Sequence, residues 1–165
     1  MNTQTAKTKF IETWGKVGAE WGITRTMAHI HALLLLSDRP MCTDEIMQEL
    51  NIARGSASMT LRELLEWELV AKDPCGERKE FYVAHKDMLH IIRQVIIHRK
   101  ARELQPLLTD LNDIHDLEGD PIEAARVEQV VSDIRLFAQK ADSVLEHLTR
   151  ADAAWMMNIF MKMVR

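Results

Sequence analysis

The sequence predicts a mainly α fold: a winged helix-turn-helix with a small β-hairpin wing, carrying long N- and C-terminal dimerisation helices. Three observations predict it. Two short helical patterns separated by a three-residue break lie between Thr43 and Trp67; two β-prone runs around a Pro/Gly turn follow up to Val83; and beyond residue 87 apolar residues recur at helical spacing over two long stretches. The expected boundaries are 22–86 for the winged helix-turn-helix, and 1–21 with 87–165 for the helical dimerisation region.

The N-terminal segment carries Phe10, Trp14, Val17 and Trp21 at spacings of 4, 3 and 4, one apolar stripe that Gly22 interrupts. A more hydrophobic helix over Thr24 to Ser37 presents Met27, Ile30, Leu34 and Leu35 as core, and Asp38-Arg39-Pro40 ends it. Thr43 then reads as an N-cap, with Asp44 and Glu45 suiting the positive end of a helix whose apolar face is Ile46, Met47 and Leu50. Asn51-Ile52-Ala53 is the turn. A second helix from about Arg54 to Trp67 turns Leu61, Leu64 and Leu65 inward, leaving Arg54, Gly55, Ser56, Ser58, Thr60 and Arg62 for its first turn and opposite face. Those groups suit a major groove: arginine pairs bidentately with guanine or phosphate, hydroxyls reach either, and glycine lets the backbone approach closely. The runs Leu69 to Lys72 and Arg78 to Val83, around Asp73-Pro74-Cys75-Gly76, form the hairpin, with Arg78 and Lys79 near its tip for phosphates or a minor groove.

From Gly55 to Trp67, at Leu69-Val70, and from Gly76 to Tyr82, the chain resembles the GbsR-like branch of the MarR-type winged-helix transcriptional regulators. The resemblance is specific over Thr24 to Val83 and architectural elsewhere. It implies a homodimeric regulator, often a repressor, that binds a palindromic double-stranded DNA operator, and it leaves room for a small-molecule effector of unknown identity. Two positions depart from the pattern. Ala53 stands where serine commonly caps the recognition helix, a loss worth about 1 kcal/mol. Glu68 stands where glycine is usual, at the expected left-handed position after the helix, so either the backbone is strained by about 1–2 kcal/mol or the helix ends differently.

After the wing, Asp87 caps a long segment bearing Met88, Ile91, Ile92, Val95 and Ile96, then Leu104, Leu107, Leu108 and Leu111, with Pro106 a kink point. A linker spans Asn112 to Gly119. Asp120-Pro121-Ile122-Glu123 is a strong helix start, and Val127, Val130, Ile134, Phe137, Ala141, Val144 and Leu148 repeat in a 3-4 pattern, a coiled-coil-like seam. Over about 44 Å such a helix outruns a small winged domain. Its seam must pack on the other long helix, on the N-terminal stripe or on a second subunit. Trp155, Met156, Ile159, Phe160 and Met163 are expected to join the same layer.

Charge narrows the function class. The 165 residues carry a net charge of −4, and residues 1–86 hold 11 basic against 12 acidic groups, so a general electrostatic coat for nucleic acid is disfavoured. A specific reader with a few clustered cations is compatible with this balance. Two cysteines, Cys42 and Cys75, make no disulfide framework or four-cysteine zinc site, and a reducing cytoplasm is the expected location. The polar start and the short apolar run Ala32 to Leu36 give no signal peptide or membrane span. His29 and His31 point apart on a helix and no nucleophile elbow or phosphate-cradling loop occurs, so no enzyme activity, metal or cofactor is expected. The aromatic groups Trp14, Trp21, Phe81, Tyr82 and Trp155 could build a cation–π cage, though such stripes are usually core. The competing reading is a winged-helix protein-interaction module without specific DNA binding.

Overall fold

The computed structural model describes residues 1–74, 76, 78–150 and 162. Cys75 and the apolar side chains assigned to the closing segment, Trp155, Met156, Ile159, Phe160 and Met163, lie outside the described residues. The chain forms two units, Met1–Ile91 and Ile92–Arg165.

In the first unit the order is α1 (Thr3–Glu20), α2 (Arg25–Leu36), β1 (Met41–Cys42), α3 (Thr43–Leu50), α4 (Arg54–Glu66), β2 (Val70–Asp73) and β3 (Phe81–Ala84). The sheet is antiparallel in the order β1-β3-β2, with Val70 opposite Ala84, Asp73 opposite Phe81 and Met41 opposite Tyr82. This is the winged helix-turn-helix that the sequence predicts, with a third strand that it does not: two residues are too few to show a period. Met27, Ile30 and Leu34 of α2, Ile46 of α3, and Leu61 and Leu64 of α4 are buried together with Leu69 and Tyr82. Each such aliphatic side chain contributes about 1.5–3 kcal/mol relative to exposure, so the core fixes the angle at which α4 leaves the turn.

Local chemistry sets the helix ends. The N-cap of α3 is Cys42 rather than Thr43, because the backbone N–H of Cys42 donates to Glu45 Oε2 at 2.8 Å, the returning half of a capping box. Three helices stop in one way. Ile23 N–H donates to Gly18 O, Ile52 N–H to Met47 O and Leu69 N–H to Leu64 O, each across a left-handed residue: Gly22, Asn51 and Glu68, with φ of 79°, 50° and 52°. Glycine and asparagine adopt that conformation readily; Glu68 adopts it at a cost of about 1–2 kcal/mol. The departure at Glu68 is therefore strain, not a different helix end. Ala53 caps α4 without a side-chain hydrogen bond, as expected from its methyl group.

Helix α1 packs on α2, but not chiefly through its aromatic stripe. Its buried residues are Gly15 and Gly18, while Trp21 is exposed. A Cβ on Gly18 would lie 2.6 Å from the Ala28 Cβ and 2.9 Å from Ile23, so the missing side chain is what lets the helices approach. Gly18→Val is expected to lower stability by about 1–3 kcal/mol through overpacking, measured by urea unfolding. A variant as stable as the parent would show that α1 can stand off without loss.

In the second unit, α5 (Met88–Arg99), which begins in the first, runs into a π-helical turn, Lys100–Leu104, then α6 (Gln105–Asp113) and α7 (Pro121–Arg150). Asp87 accepts the Leu89 N–H at 2.9 Å and Asp120 accepts the Glu123 N–H at 3.2 Å, the two helix starts read from sequence. Pro106, lacking an N–H, sits in the first turn of α6 just after the π-helical turn, which widens the helix where proline removes a donor. The face of α7 that meets its own chain is largely polar. Lys100 Nζ pairs with Asp142 at 3.2 Å and Glu146 at 2.8 Å, Gln105 donates to Asp142 at 2.7 Å, and Arg135 donates to the carbonyls of Leu111 and Ile114. Ala138 is the one buried α7 residue among those described. Most of the apolar seam points elsewhere: Val127, Val130, Ile134, Phe137 and Val144 are exposed, Phe137 by 75%, while Ala141 and Leu148 are half-buried.

Candidate nucleic-acid interface

Helix α4 divides sharply. Ala57, Thr60, Leu61 and Leu64 are buried, at the i, i+3, i+4 and i+7 positions of one face. Thr60 is only 5% exposed, so the sequence expectation that its hydroxyl contacts DNA is corrected. Its place in the buried i, i+3, i+4 register outweighs its polarity. The remaining predicted groups do converge. Arg54, Gly55, Ser58 and Arg62 are exposed and Ser56 is half-buried on the first turns of α4.

Gly55 meets no other atom within 4 Å of where a Cβ would be, so the fold itself does not require glycine there. An open backbone at the start of a helix is free for close approach by a partner. Met59, 69% exposed, completes a stripe with Gly55, Ser58 and Arg62. Sequence reasoning passed over it as an apolar residue, although its spacing of four from Gly55 and three from Arg62 marks the polar face. A thioether one turn from Arg62 offers the apolar contact that a thymine methyl accepts.

The wing brings its cations to α4. Seven residues, Pro74 to Glu80, connect β2 to β3; the second strand of the hairpin begins at Phe81 rather than Arg78, and Arg78 and Lys79 lie in the turn, near the tip as the sequence places them. Gly76 is needed in that turn: a Cβ would meet the Lys79 carbonyl oxygen at 2.1 Å and the Phe81 ring at 2.7 Å. Lys79 Nζ donates to Asp44 Oδ2 at 3.0 Å, and Arg54 pairs with Oδ1 of the same carboxylate. The Lys79 hydrogen bond and the adjacent Arg54 guanidinium hold the Asp44 carboxyl below its usual range, and Asp44 in turn raises the Lys79 ammonium. From the sequence, Asp44 is expected only to suit the positive end of α3. Lys72 is engaged elsewhere, on Glu80, whose other oxygen accepts the Tyr82 hydroxyl at 2.8 Å. Arg78 and Arg62 are exposed without an ion pair among the described residues.

Among the described residues the aromatic side chains do not assemble into a cage. Trp14 donates its indole N–H to His31 Nδ1 at 3.3 Å and stacks on Phe10, and Tyr82 is buried in the sheet. Among the described residues no cluster of three His, Cys, Asp or Glu is arranged to hold a metal ion, and no helix is long and apolar enough to cross a membrane.

Residues 30–72 match the family described as bacterial regulatory protein, arsR family. The match spans α2 to β2, the helix-turn-helix and the start of the wing. A crystal structure of a transcriptional regulator is similar at a TM-score of 0.61, with 18% identity over 88% of this chain and 97% of that one. A transcriptional regulator from Thermotoga maritima, 18% identical over 81% of this chain and 89% of its own, gives 0.38. The adhesin competence repressor from Streptococcus pyogenes, 18% identical over 85% and 98%, gives 0.35. The shared fold rests on the first of the three. No curated protein matches the sequence.

Proposed function

We propose that this DNA-binding transcriptional regulator works as a cytoplasmic homodimer, a repressor that reads a palindromic operator with α4 in the major groove and the wing on the flanking backbone. The observation that carries the reading is the stripe Gly55, Ser58, Met59 and Arg62: it is exposed, unneeded by the core, and lies in a helix-turn-helix with arginine at each end. The chemistry is that of binding, not catalysis. Within the winged-helix regulators, the resemblance to the MarR-type, GbsR-like branch supplies the expected mode of pairing, through residues 1–21 and 87–165. A single reading head contacts few base pairs, and two heads about 34 Å apart on a two-fold axis read twice as many. An effector would act by its differential affinity for two spacings of those heads.

Selection from a random duplex pool tests the reading. A recovered two-fold-symmetric motif supports it, whereas no enrichment under varied salt favours a protein-interaction module. On the selected duplex, Arg54→Ala is expected to weaken binding by about 5- to 150-fold and to relax base preference at one position per half-site. Arg78→Ala is expected to weaken all sequences alike and to reduce the salt slope by about one. Unchanged affinity and specificity in both variants, measured by fluorescence anisotropy, would refute the site.

A further inference from the structure

Asp44 occupies the first turn of α3, the helix before the recognition helix, and remains about half-exposed. Its two oxygens serve different elements: Oδ1 accepts from Arg54 at the start of α4, and Oδ2 accepts from Lys79 in the wing. One carboxylate thus joins the two parts of the interface. Neither cation is exhausted by the contact, since a guanidinium has five N–H donors and an ammonium three. Arg54 and Lys79 can therefore face DNA while still held.

We propose that Asp44 is a specificity-determining residue, which ties Arg54 and Lys79 in position and cancels one of their two charges so that DNA of the wrong sequence is held weakly. The proposal rests on the DNA-binding reading above. Its physical basis is that the two kinds of binding depend on different things. Nonspecific affinity comes almost entirely from release of counterions, with a slope of about −0.9 in log affinity against log salt for each phosphate neutralised. Removing one net positive charge lowers that attraction for every sequence. Specific contact depends instead on a guanidinium presented in fixed geometry to a base edge, and a tethered arginine has less rotamer freedom left to lose. Asp44 therefore penalises wrong DNA more than right DNA. The chain as a whole carries a net charge of −4, so its overall field does not favour indiscriminate attraction of DNA.

The simpler role for Asp44 is to stabilise the α3 N-terminus as an acidic first-turn residue. Salt dependence separates the two, because a helix-stabilising role does not move it. Anisotropy titrations would compare a mixed-sequence duplex of about two helical turns with the duplex recovered by selection, from 50 to 200 mM KCl, alongside thermal melts. Asp44→Asn is expected to bind the mixed-sequence duplex about three- to tenfold more tightly at low salt, with a slope steeper by about one, and to lose several-fold of the selected-to-mixed affinity ratio. The double variant Asp44→Asn, Lys79→Gln restores the local charge, so its slope should return to the parent value while the affinity ratio stays low. An Asp44→Asn slope and ratio equal to the parent's, or an equal weakening on both duplexes, would overturn the proposal and leave the DNA-binding reading intact. A parent protein that binds neither duplex in a salt-dependent way would overturn both.

Discussion

Replacing Ile134 and Phe137 together by glutamate is expected to yield a folded monomer whose affinity for the selected duplex has fallen by about 100-fold or more. Both side chains stand exposed on α7, so in a lone protomer the substitution removes little buried area and costs little stability. In a dimer the same positions would be central to a contact that two buried carboxylates cannot tolerate. The pattern on α7 favours the second situation. Its inward face is held by Lys100, Gln105 and Arg135 through ion pairs and hydrogen bonds, whereas Val127, Val130, Ile134, Phe137 and Val144 face away at heptad-like spacing. A patch of this kind on a soluble protein marks an interaction surface. Loss of such a dimer would make the second half-site a separate binding event, and avidity of about 10²–10⁴ would disappear with it. Sedimentation at micromolar concentration measures the first effect and anisotropy the second. A double variant that keeps a dimeric mass and full affinity would place the pairing surface elsewhere.

The second large effect is expected from acid. His31 is 2% exposed, and burial, reinforced by the charge of His85, pushes its imidazole down from 6.5 to about 4. Trp14 can only donate, so the contact to Nδ1 places the proton on Nε2, which has no hydrogen-bond partner. The folded state therefore resists a second proton that the unfolded chain accepts. Because the folded pKa is depressed, this contribution is fully present above pH 6.5. It is lost progressively as the pH falls from 6.5 toward 4, where the folded imidazole also charges. The full span is worth about 3 kcal/mol at 1.36 kcal/mol per unit. Urea unfolding at pH 7.5 and 5.0 should show the loss in the parent, and His31→Met should remove the histidine's share of it. Equal pH dependence in the two proteins would mean that His31 is not the group that titrates. Since His31 is the α2 partner of Trp14 on α1, the same protonation would loosen the α1–α2 contact.

Much of the fold was legible because its signals are local. Leu61, Leu64 and Leu65 mark one face of α4 by spacing alone; Asp87 and Asp120 announce α5 and α7; Glu68 carries the left-handed turn that its position in the pattern demanded. The placement of the candidate site's residues was legible in part. Arg54, Gly55, Ser58, Arg62, Arg78 and Lys79 are where the residue types placed them, at the surface of α4 and the wing. Thr60 was misread because chemistry was weighed above register, and Met59 was missed for the same reason in reverse. Asp44 could not be found as a partner of Lys79, since 35 positions separate them and no periodicity links a helix start to a wing tip.

The sequence by itself determined the order of helices, the wing and the seam on α7, because propensity, capping and apolar period act over a few residues. Only the tertiary structure decided which way those faces turn. Whether an apolar row is core or surface depends on what competes for the interior: in α7 polar ties and Ala138 take the inner side, and in α1 Gly15 and Gly18 make the closest approach while Phe10, Trp14 and Val17 are only half-buried. Likewise, three charges that the sequence scatters across two helices and a turn become one tied group because chain reversal at the wing, not spacing, brings them within hydrogen-bond reach.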